Sequence, residues 1–210
     1  METVSAYLET NILAGWLQFF EEERERFFKR MEKRTKKSLI LLRDVQNKDY
    51  LCSFKTSDWS LAELPQIIRD SKISMKMIRD GRSPAFFNRY KTEYSLTPRQ
   101  IHDIEKIIER FRQFIRGIGI EIEPCQVNPS VVQKIASNYS LNTSDALHLA
   151  VAKGKCNFFI SNDSDFLDHK VEIYKIDRIK VIEPLALREE KGYVVENPSF
   201  NKRPSWHGVP

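Results

Sequence analysis

Residues 4–13, Val-Ser-Ala-Tyr-Leu-Glu-Thr-Asn-Ile-Leu, place a short apolar strand pattern directly before an acid and the start of a helix pattern. From Asn11 onward the apolar residues recur at helical spacing. Helical stretches separate this first strand from the other predicted strands, which are 50–54, 118–123, 157–161 and 179–182. Because strands that alternate with helices form parallel sheets covered on both faces, we predict an α/β protein with a central parallel sheet of about four to five strands.

The composition is that of a chain able to bury a core, with 41% hydrophobic and 30% charged residues among 210. Only 7 residues are Gly, which disfavours collagen-like and many-turned β architectures. No apolar run reaches the roughly 18 residues that span a bilayer. The chain opens with the acid Glu2 after Met1, whereas a secretory signal opens with basic residues. We therefore expect a cytoplasmic protein with no membrane partner and with its three cysteines reduced.

Four acids are predicted to lie at the carboxyl ends of strands, where parallel sheets gather their ligands. Glu9 follows the first strand, and Glu63 lies about two turns into the helix after the second. Asp145 is in the first turn of its helix, and Asp163 follows the strand that ends at Ser161. Four converging carboxylates repel one another unless a cation intervenes, and oxygen ligands favour Mg²⁺ or Mn²⁺. Such an ion can activate water for phosphodiester hydrolysis.

Four stretches that contain these acids resemble, in chain order, the motifs of the PIN-domain family. They are Tyr-Leu-Glu-Thr-Asn-Ile-Leu at 7–13, Ser-Asp-Trp-Ser-Leu-Ala-Glu-Leu at 57–64, Ser-Asp-Ala-Leu-His-Leu-Ala at 144–150 and Ile-Ser-Asn-Asp-Ser-Asp-Phe-Leu at 160–167. The resemblance implies a Rossmann-like sheet in which the four acids form the catalytic metal site. It also implies that Asn11 orients the first acid, that Ser161 supports the site and that Asp165 assists through water.

Members of this family are mainly Mg²⁺- or Mn²⁺-dependent ribonucleases, and they include the toxins of toxin-antitoxin pairs. The resemblance therefore implies an endoribonuclease that acts on single-stranded RNA or a structured loop. It further implies a small antitoxin protein as a partner, together with a homodimer.

The first motif departs from the family, because its acid is usually Asp and here it is Glu9. The extra methylene moves the carboxylate by about one bond length, and Mg²⁺ tolerates little geometric error. A shifted metal, a preference for Mn²⁺ and a catalytically weak domain are the alternatives. A non-catalytic RNA-binding or scaffold module is the rival interpretation; a DNA nuclease of the flap or repair type is disfavoured, since nothing resembles the extra helical elements of those enzymes.

Segment 69–91 carries seven basic residues against two acidic ones, with aromatic residues among them. It is either a basic ridge for single-stranded RNA or an amphipathic helical hairpin whose aromatics pack inward. On the RNA interpretation the contacting residues are Arg79, Arg82, Arg89 and Lys91. His148 is instead predicted to be a packed, hydrogen-bonded residue rather than a metal ligand.

The resemblance divides the chain into a PIN-like domain at 1–183 and an irregular tail at 184–210. Within the domain, 66–128 forms an extended helical insertion with one strand, because the segment is longer than the compact family core needs. The tail contains several prolines together with Trp206, which either anchors it to a surface or belongs to a poorly ordered terminus.

Overall fold

The computed structural model describes residues 4–21 and 33–190. Its sheet has five strands in the order β3-β2-β1-β4-β5, and every neighbouring pair in it is parallel. The strands are β1 Ser5–Leu8, β2 Ser53–Ser57, β3 Glu121–Glu123, β4 Phe158–Ile160 and β5 Lys180–Ile182. The predicted α/β class and central parallel sheet are confirmed.

Helices connect the strands and cover both faces of the sheet. They are α1 Thr10–Glu21, α2 Lys33–Gln46, α3 Asp58–Arg79, α4 Phe87–Tyr90, α5 Pro98–Gly117, α6 Pro129–Tyr139, α7 Thr143–Ala152, α8 Ser164–Asp168 and α9 Lys170–Asp177. Short 3₁₀ turns occupy Pro84–Phe86, Lys91–Glu93 and Ala186–Glu189. The predicted helical insertion corresponds to most of α3 together with α4 and α5.

Side-chain caps fix where the two long helices of this insertion begin. The Ser57 hydroxyl accepts the N–H of Ser60 at 3.1 Å and starts α3, as the sequence predicts. Thr97 and Gln100 form a reciprocal capping box that starts α5. The predicted break at 81–84 is also present, and Gly81 there has a φ of 76°.

The second strand was predicted at 50–54 but runs from Ser53 to Ser57. Tyr50 lies outside this strand and packs its ring on Phe54, while its hydroxyl donates to buried Asp44. The polar end of the strand is stable because Thr56 donates to the Leu8 carbonyl at 2.9 Å. Side-chain hydrogen bonding and packing therefore override the β propensity of the apolar run.

The alternation of β1 divides the core between the two faces of the sheet. Ala6 and Leu8 belong to the apolar cluster formed with α1, α2, α3 and α5. Tyr7 faces the other cluster, formed mainly with α6, α7, α8 and α9. Successive side chains of a strand point to opposite faces, so a four-residue strand serves both layers.

The chain changes direction across the sheet at β1, which lies between β2 and β4. From β1 it builds outward to β2 and β3, and it then crosses back to β4 and β5. The crevice beyond the carboxyl ends of β1 and β4 is therefore the topological switch point, where open parallel sheets bind ligands. Glu9 follows β1 directly and lies at this crevice, where its backbone N–H donates to the Ile160 carbonyl at 3.2 Å.

The packed chain extends past the last strand. Leu187 is fully buried, and Arg188 pairs with Asp44 of α2. Residues 184–190, which the sequence assigned to the tail, thus contact the domain, while Trp206 lies outside the described residues. Cys52, Cys125 and Cys156 are free thiols. Among the helices described, none is long and apolar enough to cross a bilayer.

Candidate active site

A cavity of about 650 Å³ opens at the switch point. All four predicted acids line it, and so does Asn11. The other lining residues are Thr10, Ala14, Gly15, Thr35, Ser38, Gln66, Ile67, Asn142, Ser144, His148 and Asn162. Within the described part of the chain its wall contains neither Lys nor Arg, and its acidic side chains are the four predicted ones.

Glu9 lies at the bottom of the cavity, where its side chain is almost completely buried. The N–H of Asn11 donates to Glu9 Oε1 at 3.1 Å, and the Ser161 hydroxyl donates to Oε2 at 3.2 Å. Burial, together with the smaller effect of the charges of Asp145 and Asp163, raises the pKa of Glu9 to about 8, although the two hydrogen bonds lower it. The backbone N–H of Asn11 and the Ser161 hydroxyl thus bond the two oxygens of Glu9, while the Asn11 side chain donates to Ser161 at 3.2 Å; that they orient a metal ligand stays a prediction.

Glu63 is held by three hydrogen bonds that engage both of its carboxylate oxygens. Oε2 accepts from the Thr10 hydroxyl at 2.5 Å and lies 2.8 Å from His148 Nε2, while Oε1 accepts from the Ser144 hydroxyl. Burial by itself raises the pKa of Glu63, but the bonds from His148, Ser144 and Thr10 outweigh it and lower the pKa to about 2. Glu63 is therefore a fixed carboxylate anion.

His148 connects Glu63 to a buried polar network beneath the cavity. Its Nδ1 lies 3.0 Å from the Tyr7 hydroxyl, which in turn lies 2.7 Å from the Ser57 hydroxyl. If the Tyr7 O–H donates to Nδ1, the Nε2–H of His148 is the donor to Glu63. This is the packed, hydrogen-bonded role that the sequence predicts for His148, but its link to Glu63 was not foreseen.

Asp145 and Asp163 lie at the N-termini of α7 and α8, and both line the cavity. Asn142 caps α7 and donates its amide to Asp145 Oδ2 at 2.6 Å, while burial and then the charge of Asp163 raise the pKa of Asp145 to about 6. Asp163 caps α8 by accepting the N–H of Asp165 at 3.0 Å. Asp165 is exposed, and it affects the cavity through its charge on Asp145.

A divalent cation suits the chemistry of this donor set. Across 4–21 and 33–190 no three His, Cys, Asp or Glu side chains are close enough together to enclose a metal ion. The acids nevertheless share one cavity: besides burial, the charges of Asp145 and Asp163 raise the pKa of Glu9, and the charge of Asp163 raises the pKa of Asp145. Mg²⁺ and Mn²⁺ accept oxygen ligands and keep several waters, so they match carboxylates that converge without forming a full cage.

The basic residues that were predicted to contact RNA lie along the far half of α3 and the turns after it. Arg82 pairs with Glu93 at 2.6 Å, and its guanidinium lies 4.4 Å from the ring centre of Tyr90. Lys91 lines a second depression that shares Gln66 with the acid cavity. Arg79 and Arg89 are exposed. An RNA role for these four residues stays a prediction.

We expect Glu9→Gln to stabilise the metal-free protein, and to do so more strongly at higher pH. The pKa of Glu9 is about 8 in the folded protein, against an ordinary value of 4.5 for the unfolded chain. Between these pH values the unfolded chain releases a proton that the folded protein keeps, so the free energy of unfolding falls as the pH rises. Gln at position 9 does not titrate and avoids this loss. Melting in EDTA should show a small gain in Tm at pH 5 and a gain of several degrees, roughly, at pH 8. Glu105→Gln, at a carboxylate 70% exposed on α5, should show no such trend. A gain for Glu9→Gln that does not change with pH would contradict the described burial.

Comparisons with known proteins give likenesses to solved structures only. No protein-family model and no curated protein matches the chain. Among solved structures, a chain of "VapBC2 from Rickettsia felis bound to a DNA fragment from their promoter" is similar at 13% identity with a TM-score of 0.42. The match covers 86% of this chain and 98% of the other. At this identity the likeness concerns the fold alone.

Proposed function

We propose that this protein is a Mg²⁺- or Mn²⁺-dependent endoribonuclease that hydrolyses RNA phosphodiesters. The observation that carries the proposal is the convergence of four carboxylates at the switch point, in a cavity whose described wall has no Lys or Arg. A phosphodiester is repelled by such a wall unless a bound cation supplies positive charge. The PIN-type motifs around the acids support RNA as the substrate.

In this proposal Glu9, Glu63, Asp145 and Asp163 form the acidic site that would hold the metal, in part through bound waters, since no three of the described acids enclose an ion on their own. A bound ion would lower the pKa of a coordinated water and neutralise charge on the phosphate. Asn11 and Ser161 fix the rotamer of Glu9, so that its carboxylate meets the ion without a reorganisation cost. The remaining Oε1 lone pair of Glu63 accepts a hydrogen bond from a water in the cavity.

The partners follow from the same proposal. Single-stranded RNA or a structured loop enters the acid cavity, and Arg79, Arg82, Arg89 and Lys91 contact its backbone beyond the second depression. A small antitoxin protein inhibits the nuclease, and the chain forms a homodimer. These expectations rest on the motif resemblance.

A second candidate function is a catalytically weak RNA-binding module. Two observations favour it. Glu63 Oε2 is already hydrogen-bonded to Thr10 and His148, and the first acid is Glu9, which is one methylene longer than the usual Asp. Glu9→Asp discriminates the two candidates. A large gain in cleavage would indicate a weakened enzyme, and RNA binding without cleavage in either form would indicate the binding module.

The test is a titration of the purified protein with Mg²⁺ and with Mn²⁺ in the presence of end-labelled single-stranded RNA. We expect cleavage that depends on the metal, disappears in EDTA and exceeds cleavage of single-stranded DNA of the same sequence. Cleavage that persists in EDTA, or DNA cleavage at the same rate, would contradict the proposal.

A further inference from the structure

Trp59 is a half-exposed aromatic residue that is anchored at the edge of the acid cavity. Its side chain is on the second residue of α3, and the residue is 38% exposed. The indole N–H donates to the Ser144 hydroxyl at 2.9 Å. Since a large apolar ring gains free energy by leaving water, a fixed ring held half in solvent is a surface available to a ligand.

The hydrogen bond to Ser144 holds the Trp59 ring close to the candidate catalytic residues. Ser144 accepts from Trp59 and donates to Glu63, so one hydroxyl connects the indole to the acid. Trp59 and Glu63 are also four residues apart on α3, and therefore lie on the same helix face about 6 Å apart along the axis. The ring lies one helical turn from the acidic site.

We propose that Trp59 is a stacking subsite for a nucleobase of single-stranded RNA next to the bond that is cut. This inference rests on the proposed nuclease function and specifies how its substrate is held. Stacking suits this position because the described wall of the cavity offers no Lys or Arg to bind the backbone phosphates. Aromatic rings stack on every base, so the subsite aligns the strand with little sequence preference.

Two aromatic rings of the basic segment, those of Phe87 and Tyr90, are less available for this task. The Tyr90 ring has Arg82 at 4.4 Å on its face and Arg89 at 5.3 Å, and Lys91 lies 5.7 Å from the Phe87 ring centre. These rings are already covered by cations of their own segment. No cation–π contact of this kind is present at Trp59 among the described residues.

The test measures RNA binding separately from cleavage, in an Asp145→Asn background with fluorescein-labelled single-stranded RNA. Trp59→Ala should weaken binding by about tenfold, whereas Trp59→Phe, which keeps a ring, should remain within about threefold. Tyr174→Ala is the matched control at an aromatic 51% exposed on α9, outside both the cavity wall and the basic segment, and it should leave binding unchanged. Thermal melts of all variants show whether the fold is retained.

A scan with single abasic nucleotides makes the test specific to stacking. One abasic position should weaken binding to the Trp59 protein by about the same factor as Trp59→Ala, and should have no further effect in Trp59→Ala. The subsite is overturned if Trp59→Ala binds RNA as tightly as the parent protein, or if the binding losses from Trp59→Ala and from an abasic nucleotide add at every position. This holds even if metal-dependent cleavage is observed. A non-additive position together with no cleavage in the parent protein would support the subsite while the proposed nuclease activity fails.

Discussion

Asp145→Asn is expected to lower metal-dependent RNA cleavage by at least about 100-fold. Changes to residues that merely orient metal ligands cost roughly 10- to 100-fold, and loss of a ligand's charge should cost more. The fold should persist, because Asn has the same size and keeps an oxygen to accept the amide of Asn142. Removing one anion also relieves repulsion with Asp163, so Tm should stay level or rise.

The measurement is a single-turnover cleavage assay across a range of Mn²⁺ concentrations, with Tm determined on the same preparations. Asp168→Asn is the matched control, since Asp168 is an exposed carboxylate at the end of α8 and outside the cavity wall. It should cleave at the parent rate. Undiminished cleavage by Asp145→Asn would remove Asp145 from the metal site and refute the four-acid mechanism.

Arg188→Met is expected to cause the largest loss of stability among the changes outside the site. Asp44 is 1% exposed, and Arg188 donates to it through both Nε, at 2.8 Å, and Nη2. The Tyr50 hydroxyl also donates to Asp44, but at 3.3 Å it cannot replace the guanidinium. Removing Arg188 leaves the buried carboxylate with Arg43 alone among the described cations, whose Nη2 is 3.3 Å from Asp44 Oδ1, so the free energy of unfolding should fall by about 2 kcal/mol.

Urea unfolding of Arg188→Met measures this loss, and Lys180→Met is its matched control. Lys180 pairs with Glu190 at 2.7 Å and ties down the same segment, but its side chain is 48% exposed, so its loss should cost less than about 1 kcal/mol. Asp44→Leu combined with Arg188→Met should recover part of the stability, because it removes the buried carboxylate that has lost Arg188. Equal losses in the two single variants would show that the buried pair contributes no more than a surface pair.

Local signals in the sequence account for much of the fold. The hydroxyl at Ser57, the capping pair Thr97 and Gln100, and the break near Gly81 act over a few residues, and each marks a helix boundary in the structure. The second strand could not be placed by the same means. The run at 50–54 has strong β propensity, yet contacts with Asp44 and the Leu8 carbonyl place the strand three residues later.

The sequence by itself determined the alternation of strands and helices and the order of the four acids, because hydrophobic period and capping are encoded by near neighbours. Only the tertiary structure decided which side chains meet. Ser161 reaches Glu9 across 152 positions, and His148 reaches Glu63 across 85. Periodicity specifies which face of an element is buried but not which element covers it. The hydrogen bonds and the pKa of each acid therefore follow from the packing that brings distant segments together at the switch point.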